Sequence, residues 1–130
     1  MGDQQSLEET CLERQSVFDG ILLNVFRDRV KLPDGEESVR EWIDHPGASA
    51  VIPLFDNGDT VLLRQYRYPA RKEFVEVPAG KFDEAAANPE AVARRELEEE
   101  TGWKAEHFDP LGGYYPCIGY SNEVIHFFIA

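Results

Sequence analysis

Between Asn88 and Gly102 the chain carries a full set of helix signals, and the residues they enclose restrict what it can fold into. Asn88 is suited to cap the free N–H groups of a helix start, and Pro89 fits the first helical position, where no N–H is needed. Good helix formers run from Glu90 to Glu100, and Gly102 suits the left-handed residue that closes a helix. At 3.6 residues per turn, Ala93 and Leu97 share a stripe to be buried, with Glu96 and Glu100 beside it and one turn apart. Glu96, Glu98, Glu99 and Glu100 crowd five positions, and like charges one turn apart weaken an isolated helix. A chain that keeps them has a use for a cation between them. Hard divalent cations such as magnesium take carboxylate oxygens and keep several waters. The competing reading is a solvated, salt-bridged face, with Arg94–Glu98 and Arg95–Glu99 spaced as ion pairs.

Around this helix the chain reads as strands and turns. Residues 1–16 are polar and acidic and read as a loosely packed segment. Phe18 to Lys31 and Ser38 to Asp44 read as strands joined by the turn Pro33-Asp34-Gly35. Ala48 to Phe55 and Thr60 to Tyr66 form a predicted hairpin around Asn57-Gly58. Phe74 to Val77 is a short strand ahead of the Pro78-Ala79-Gly80 turn, and Val124 to Ile129 is an apolar, buried strand. A mixed sheet against the helix makes an α/β layered fold.

Composition narrows the function. At 130 residues the chain is one domain with a single core. A net charge of −12 argues against nucleic acid as a general partner. No apolar run has transmembrane length and no signal peptide is evident. Cys11 and Cys117 form no disulfide framework, so the expectation is a reduced, cytoplasmic protein. Ser121 has no His–Asp partner set, which argues against a nucleophilic serine. His45 reads as shaping the turn before Pro46, and His126 as a packed strand residue.

The segment from Gly80 through Trp103 resembles the Nudix box, G-x5-E-x7-R-E-U-x-E-E-x-G-U. Arg95, Glu96, Leu97, Glu99, Glu100, Gly102 and Trp103 match its second half in register. The first half departs: Gly80 lies one residue further upstream, and Ala86 and Ala87 occupy the candidate positions of the early glutamate. Glu84 is a possible substitute, and the loss is expected to affect the loop more than the metal. Residues 47–54, Val61 to Arg67, Pro78 to Lys81 and Tyr115 to Glu123 are similar to the ADP-ribose and nucleoside diphosphate sugar pyrophosphatase branch of the Nudix hydrolases. The likeness covers roughly residues 18–130.

The resemblance implies a Nudix-type α/β/α sandwich with a mixed sheet, plus an N-terminal antiparallel β-sheet region. The expected organisation is a polar segment at 1–16, a dimerising β region at 17–46 and the hydrolase domain at 47–130. In this branch the fold continues past the strand ending at Ala130, so that domain is expected to lack its C-terminal part and with it the loop that often carries the base. The implied cofactor is Mg2+, with Mn2+ an alternative. Metal ligands are expected from Glu96, Glu99, Glu100 and the Ala79 carbonyl. Glu99, Glu100 and Glu123 are the catalytic candidates, Glu123 also being a ligand contact or a plain strand cap. Arg67 is the expected phosphate or ribose contact, since a guanidinium fork matches phosphate. Arg40, Trp42 and Gly80 complete the substrate-binding set, Trp42 by stacking on adenine or else as packing. Arg95 is expected to anchor a glutamate and Arg64 to be a surface charge. The implied activity splits ADP-ribose or a related nucleoside diphosphate sugar into a nucleoside monophosphate and a sugar phosphate, in a homodimer with no membrane or nucleic-acid partner. Two alternatives stand beside it: a non-catalytic nucleotide-sugar sensor and a hydrolase of dinucleoside polyphosphates.

Overall fold

The computed structural model describes residues 2, 4–84 and 87–130. They form two compact units, one running up to His45 and including Cys117–Asn122, the other comprising Pro46–Pro116 and Glu123–Ala130.

The first unit is an antiparallel meander of β1 (Thr10–Asp19), β2 (Asn24–Lys31) and β3 (Glu37–Asp44) in that order. Two expectations are corrected here. β1 begins inside the stretch read as loosely packed, and the long strand Phe18 to Lys31 is broken by a tight turn in which the Gly20 N–H donates to the Leu23 carbonyl at 2.8 Å. The apolar run Ile21-Leu22-Leu23 looked like strand interior, yet it is the exposed tip of that turn. The Pro33-Asp34-Gly35 turn forms as expected, with Gly35 at φ 90°. Charges placed opposite one another hold the register: Arg27 pairs with Glu41, and Arg14 grips buried Asp28 with contacts of 3.0–3.2 Å. The Arg14 guanidinium also lies over the Trp42 ring at 5.0 Å, and Trp42 packs against Phe26. Cys117–Asn122 docks on the end of β3, where the Ile43 N–H donates to the Tyr120 carbonyl and the His45 N–H to Asn122 Oδ1, each at 2.7 Å.

The second unit is built on a mixed four-stranded sheet, in which β4 (Ala48–Ile52) lies between β7 (Ala79–Lys81), antiparallel, and β9 (Ile125–Ile129), parallel. β8 (Asp109–Tyr114) adds to β9 in antiparallel sense. The helix α1 (Pro89–Thr101) packs on this sheet through Ala93 and Leu97, which join Val51, Phe108 and Phe128 in the core. Its ends follow the signals: Asn88 Oδ1 accepts from the Ala91 N–H at 3.2 Å, and Gly102 sits at φ 77°.

Other expectations for this unit fail. Arg94 and Arg95 do not pair with Glu98 and Glu99. Arg94 reaches back to Glu90 at 2.9 Å, Arg95 goes to Asp83 and Glu96, and Glu98 is taken by Lys104. A glutamate four residues N-terminal to an arginine is the better orientation on a helix. The hairpin between β4 and the next strand shrinks to one bridge, Leu54 with Thr60. Pro53 cannot donate to a ladder, so β4 ends there. β5 (Leu63–Arg67) pairs instead with β6 (Lys72–Glu76) across a 3-10 turn at Tyr68–Ala70. β7 and β8 were not foreseen, because Ala-Gly-Lys and Asp-Pro-Leu-Gly-Gly-Tyr contain poor strand formers.

Candidate active site

The site grows from the contact between α1 and β7. Ser49 of β4 stands opposite Gly80 in the ladder and donates from Oγ to the Pro89 carbonyl at 2.7 Å, tying the first turn of the helix to the sheet. That fixes the helix so that Glu96 and Glu100 face the Ala79-Gly80 backbone. A Cβ at Gly80 would overlap the Glu96 side chain, whose Cγ would lie 2.5 Å away, so only glycine permits this approach. The Ala79 backbone N–H lies near enough to the Glu100 carboxylate to favour its charged form.

Glu100 is the anomalous group. Its Oε2 is buried and has no hydrogen-bond partner among the described residues. Burial and then the neighbouring Glu96 carboxylate push its pKa above the usual carboxylate range, while the Ala79 N–H and the Arg67 charge pull the other way. An orphaned buried carboxylate oxygen beside a second carboxylate is costly as it stands. It is the arrangement a divalent cation would relieve. Among the described residues no three His, Cys, Asp or Glu side chains gather into a ready-made cation site. Two carboxylates suit magnesium, which is commonly held by one or two carboxylates plus substrate phosphates and water.

Two arginines border the pair. Arg95, the expected anchor of a glutamate, has Nη2 3.4 Å from Glu96 Oε1. Arg67 makes a two-pronged ion pair with Glu76, with Nε donating to Oε2 at 2.7 Å, and its charge is also felt by Glu100. Glu76 was not among the candidates. Nothing in Lys72-Glu73-Phe74-Val75-Glu76 sets it apart from Glu73, and its place just before Val77-Pro78-Ala79-Gly80 gains meaning only from the arginine that reaches it.

The other candidates are placed as follows. Glu99 is exposed and acts on Arg95, outside the Glu96–Glu100 pair. Glu123 is half-buried just before Val124, whose carbonyl accepts from the Ala48 N–H at 3.0 Å. Arg40 and Trp42 belong to the first unit, where Arg40 pairs with Glu9 at 2.6 Å and the Trp42 indole helps to lower the Asp28 pKa. Arg64 pairs with Glu73 on the surface. His126 stacks on Phe82 with ring centroids 5.9 Å apart. Of the two positions for an early box glutamate, Ala87 donates its N–H to the Glu84 carbonyl at 3.1 Å and Ala86 lies outside the described residues.

A family model described as the NUDIX domain matches residues 44–130. The chain belongs to the Nudix family. It is 39% identical over 126 residues to the ADP-ribose pyrophosphatase of Bacillus subtilis, covering 97% of this chain and 68% of that protein. It is 40% identical over 123 residues to the methanol dehydrogenase activator of Bacillus methanolicus, covering 95% of this chain and 66% of that protein. An ADP-ribose pyrophosphatase of Mycobacterium tuberculosis is 32% identical over 119 residues, covering 92% and 58%. A crystal structure of an ADP compounds hydrolase superposes with a TM-score of 0.82 at 22% identity, covering 98% of this chain and 69% of that one, and so shares the mixed α/β Nudix fold. The chain thus spans between 58% and 68% of these three relatives' own lengths. No helix among the described residues is long and apolar enough to cross a membrane.

Proposed function

We propose that this Nudix protein is a divalent-metal-dependent pyrophosphohydrolase that splits ADP-ribose, or a related nucleoside diphosphate sugar, into AMP or its counterpart and a sugar phosphate. The observation that carries the reading is the orphaned Glu100 carboxylate held against Glu96 and the Ala79-Gly80 backbone. The naming of two relatives as ADP-ribose pyrophosphatases supports the substrate class.

In this reading Glu96 and Glu100 hold the cation, with Glu99 and the Ala79 carbonyl completing or supporting the set. Mg2+ is the preferred ion and Mn2+ the alternative. A cation held there would supply positive charge for the phosphates and a more acidic bound water. The residues around it do the rest. Arg67 meets a substrate phosphate with its guanidinium fork. The Gly80 backbone lets the substrate approach, and Glu123 orients water. Arg40 and Trp42 serve the nucleoside end, Trp42 by stacking. Homodimer formation through the β region at 17–46 fits the exposure of Val17, Phe18, Ile21, Leu22 and Val39. Two free cysteines agree with a reducing, cytoplasmic setting.

The test is product analysis from ADP-ribose with magnesium, wild type beside Glu100→Gln. AMP and ribose 5-phosphate from wild type, largely lost in the variant, are expected. Wild type that binds ADP-ribose without turning it over would replace the enzyme reading with a nucleotide-sugar sensor.

A further inference from the structure

Arg67 and Glu76 are not cross-strand neighbours. In the β5–β6 ladder Arg67 stands opposite Lys72, and Glu76 stands opposite Leu63. Four positions therefore separate them along the hairpin, about 14 Å at the usual strand rise. All four residues lie on one face, since their positions alternate in step. To meet Glu76 through both Nε and Nη2, the arginine must stretch back along that face, away from the turn at its own end and toward the Pro78-Ala79-Gly80 segment. This extended arm is the one whose charge reaches Glu100. Arginine has four rotatable side-chain bonds and Arg67 is half-exposed, so among the described residues the Glu76 pair is the contact that selects this conformer.

We propose that Glu76 is a positioning residue, which aims the Arg67 guanidinium at the carboxylate pair so that it is in place when a diphosphate arrives. The inference rests on the proposed reading of the site. It also makes a prediction opposite in sign to simple electrostatics. Glu76 is one more negative charge near an anion site, so its loss should by Coulomb's law alone tighten diphosphate binding. If Glu76 aims the arginine, its loss weakens binding and turnover, because a displaced charge is worth little and small misplacements near the chemistry cost about 100-fold.

Three measurements on the whole chain test this, with Glu76→Gln, Arg67→Ala and the double variant. First, the Arg67 Nε–H is followed by NMR in the ligand-free protein, which needs no activity. An ordered guanidinium in wild type that becomes mobile in Glu76→Gln is expected, and one that stays ordered overturns the proposal. Second, inorganic pyrophosphate binding is measured by calorimetry with magnesium present. Affinity should fall about tenfold in Glu76→Gln, and unchanged or tighter binding overturns the proposal. Third, kcat/KM for ADP-ribose should fall about 10- to 100-fold in each single variant, with no further loss in the double variant. Multiplying losses would mean that Glu76 acts without Arg67. Wild type inactive on ADP-ribose would count against the substrate reading, and the first two measurements would still decide the positioning role.

Discussion

Replacing Glu100 by glutamine should make the ion-free protein more stable while removing its response to magnesium. The carboxylate has one oxygen buried without a partner among the described residues and a second carboxylate beside it. A buried polar atom left unsatisfied costs about 1–3 kcal/mol. Glutamine keeps an oxygen for the Ala79 N–H and adds an amide that can donate to Glu96, so the repulsive contact becomes a hydrogen bond. We take the gain as about 1–2 kcal/mol. With an unfolding entropy of about 2.1 cal/mol/K per residue, each kcal/mol in a chain of 130 residues moves the melting temperature by about 4 °C. Glu100→Gln should then melt about 4–7 °C above wild type in EDTA at pH 7. The pH dependence has a definite sign. The folded-state pKa of Glu100 is raised, so the folded protein holds the proton to higher pH than the unfolded chain does. The cost is absent below the ordinary carboxylate range, grows as pH rises through that range, and is complete above the raised value. The advantage of the variant should follow the same course. Magnesium at about 100 times its Kd adds about 2.7 kcal/mol to a protein that binds it, or about 10 °C for wild type and none for the variant. Thermal melts in EDTA and in magnesium, across pH 4 to 8, measure all of this. A variant that melts below wild type in EDTA, or that gains as much from magnesium, refutes the reasoning.

Gly80→Ala should leave the fold intact and weaken magnesium binding about 10- to 100-fold, because the new Cβ evicts the Glu96 side chain from its place beside Glu100; calorimetry checks it, and an unchanged affinity would mean that Glu96 is not a ligand. In the first unit, Asp28 is held below the usual carboxylate range by the Arg14 guanidinium and then by the Trp42 indole, so its contribution is complete above its unfolded pKa and is lost as pH falls through its lowered folded value; denaturant titrations should show stability falling more steeply in acid for wild type than for Asp28→Asn. With EDTA present, raising salt should strengthen ADP-ribose binding by screening repulsion from the acidic site, and with magnesium present it should not; equilibrium binding at two salt concentrations decides it.

What was legible in the sequence was whatever rests on local rules. Asn88, Pro89 and Gly102 specify the helix by their own backbone chemistry, and the structure follows them. The same holds for the turns at Gly35 and Gly58. The failures lie where tertiary contact overrides local pattern. β8 forms from Asp109-Pro110-Leu111-Gly112-Gly113-Tyr114 only because β9 offers it a ladder, and the Phe18 to Lys31 run breaks because Asp19 and Gly20 can turn while Ile21 tolerates full exposure. In the site, the glutamates were visible as an excess of like charge on one helix. Glu76 was not, since a strand-end carboxylate acquires its meaning from an arginine that reaches it diagonally across the hairpin.

The charges around the pair are what the proposed cation would offset. Glu76, Glu96 and Glu100 stand with Arg67 and Arg95, and Asp83 and Glu99 add to the acidic side through Arg95. Both arginines are already paired with carboxylates, so they offset only part of the charge a diphosphate brings. A chain of net charge −12 therefore presents an incoming pyrophosphate with repulsion that its own cations do not cancel. The geometry keeps that repulsion in place instead of relaxing it: Gly80 admits Glu96, and Glu100 Oε2 is buried with no partner among the described residues. A hydrophobic or neutral replacement for Glu100 would make a more stable helix–sheet contact. In the proposed reading, keeping the strained carboxylate sets aside stability in the ion-free protein, which a divalent cation would return at the position where phosphate charge has to be met.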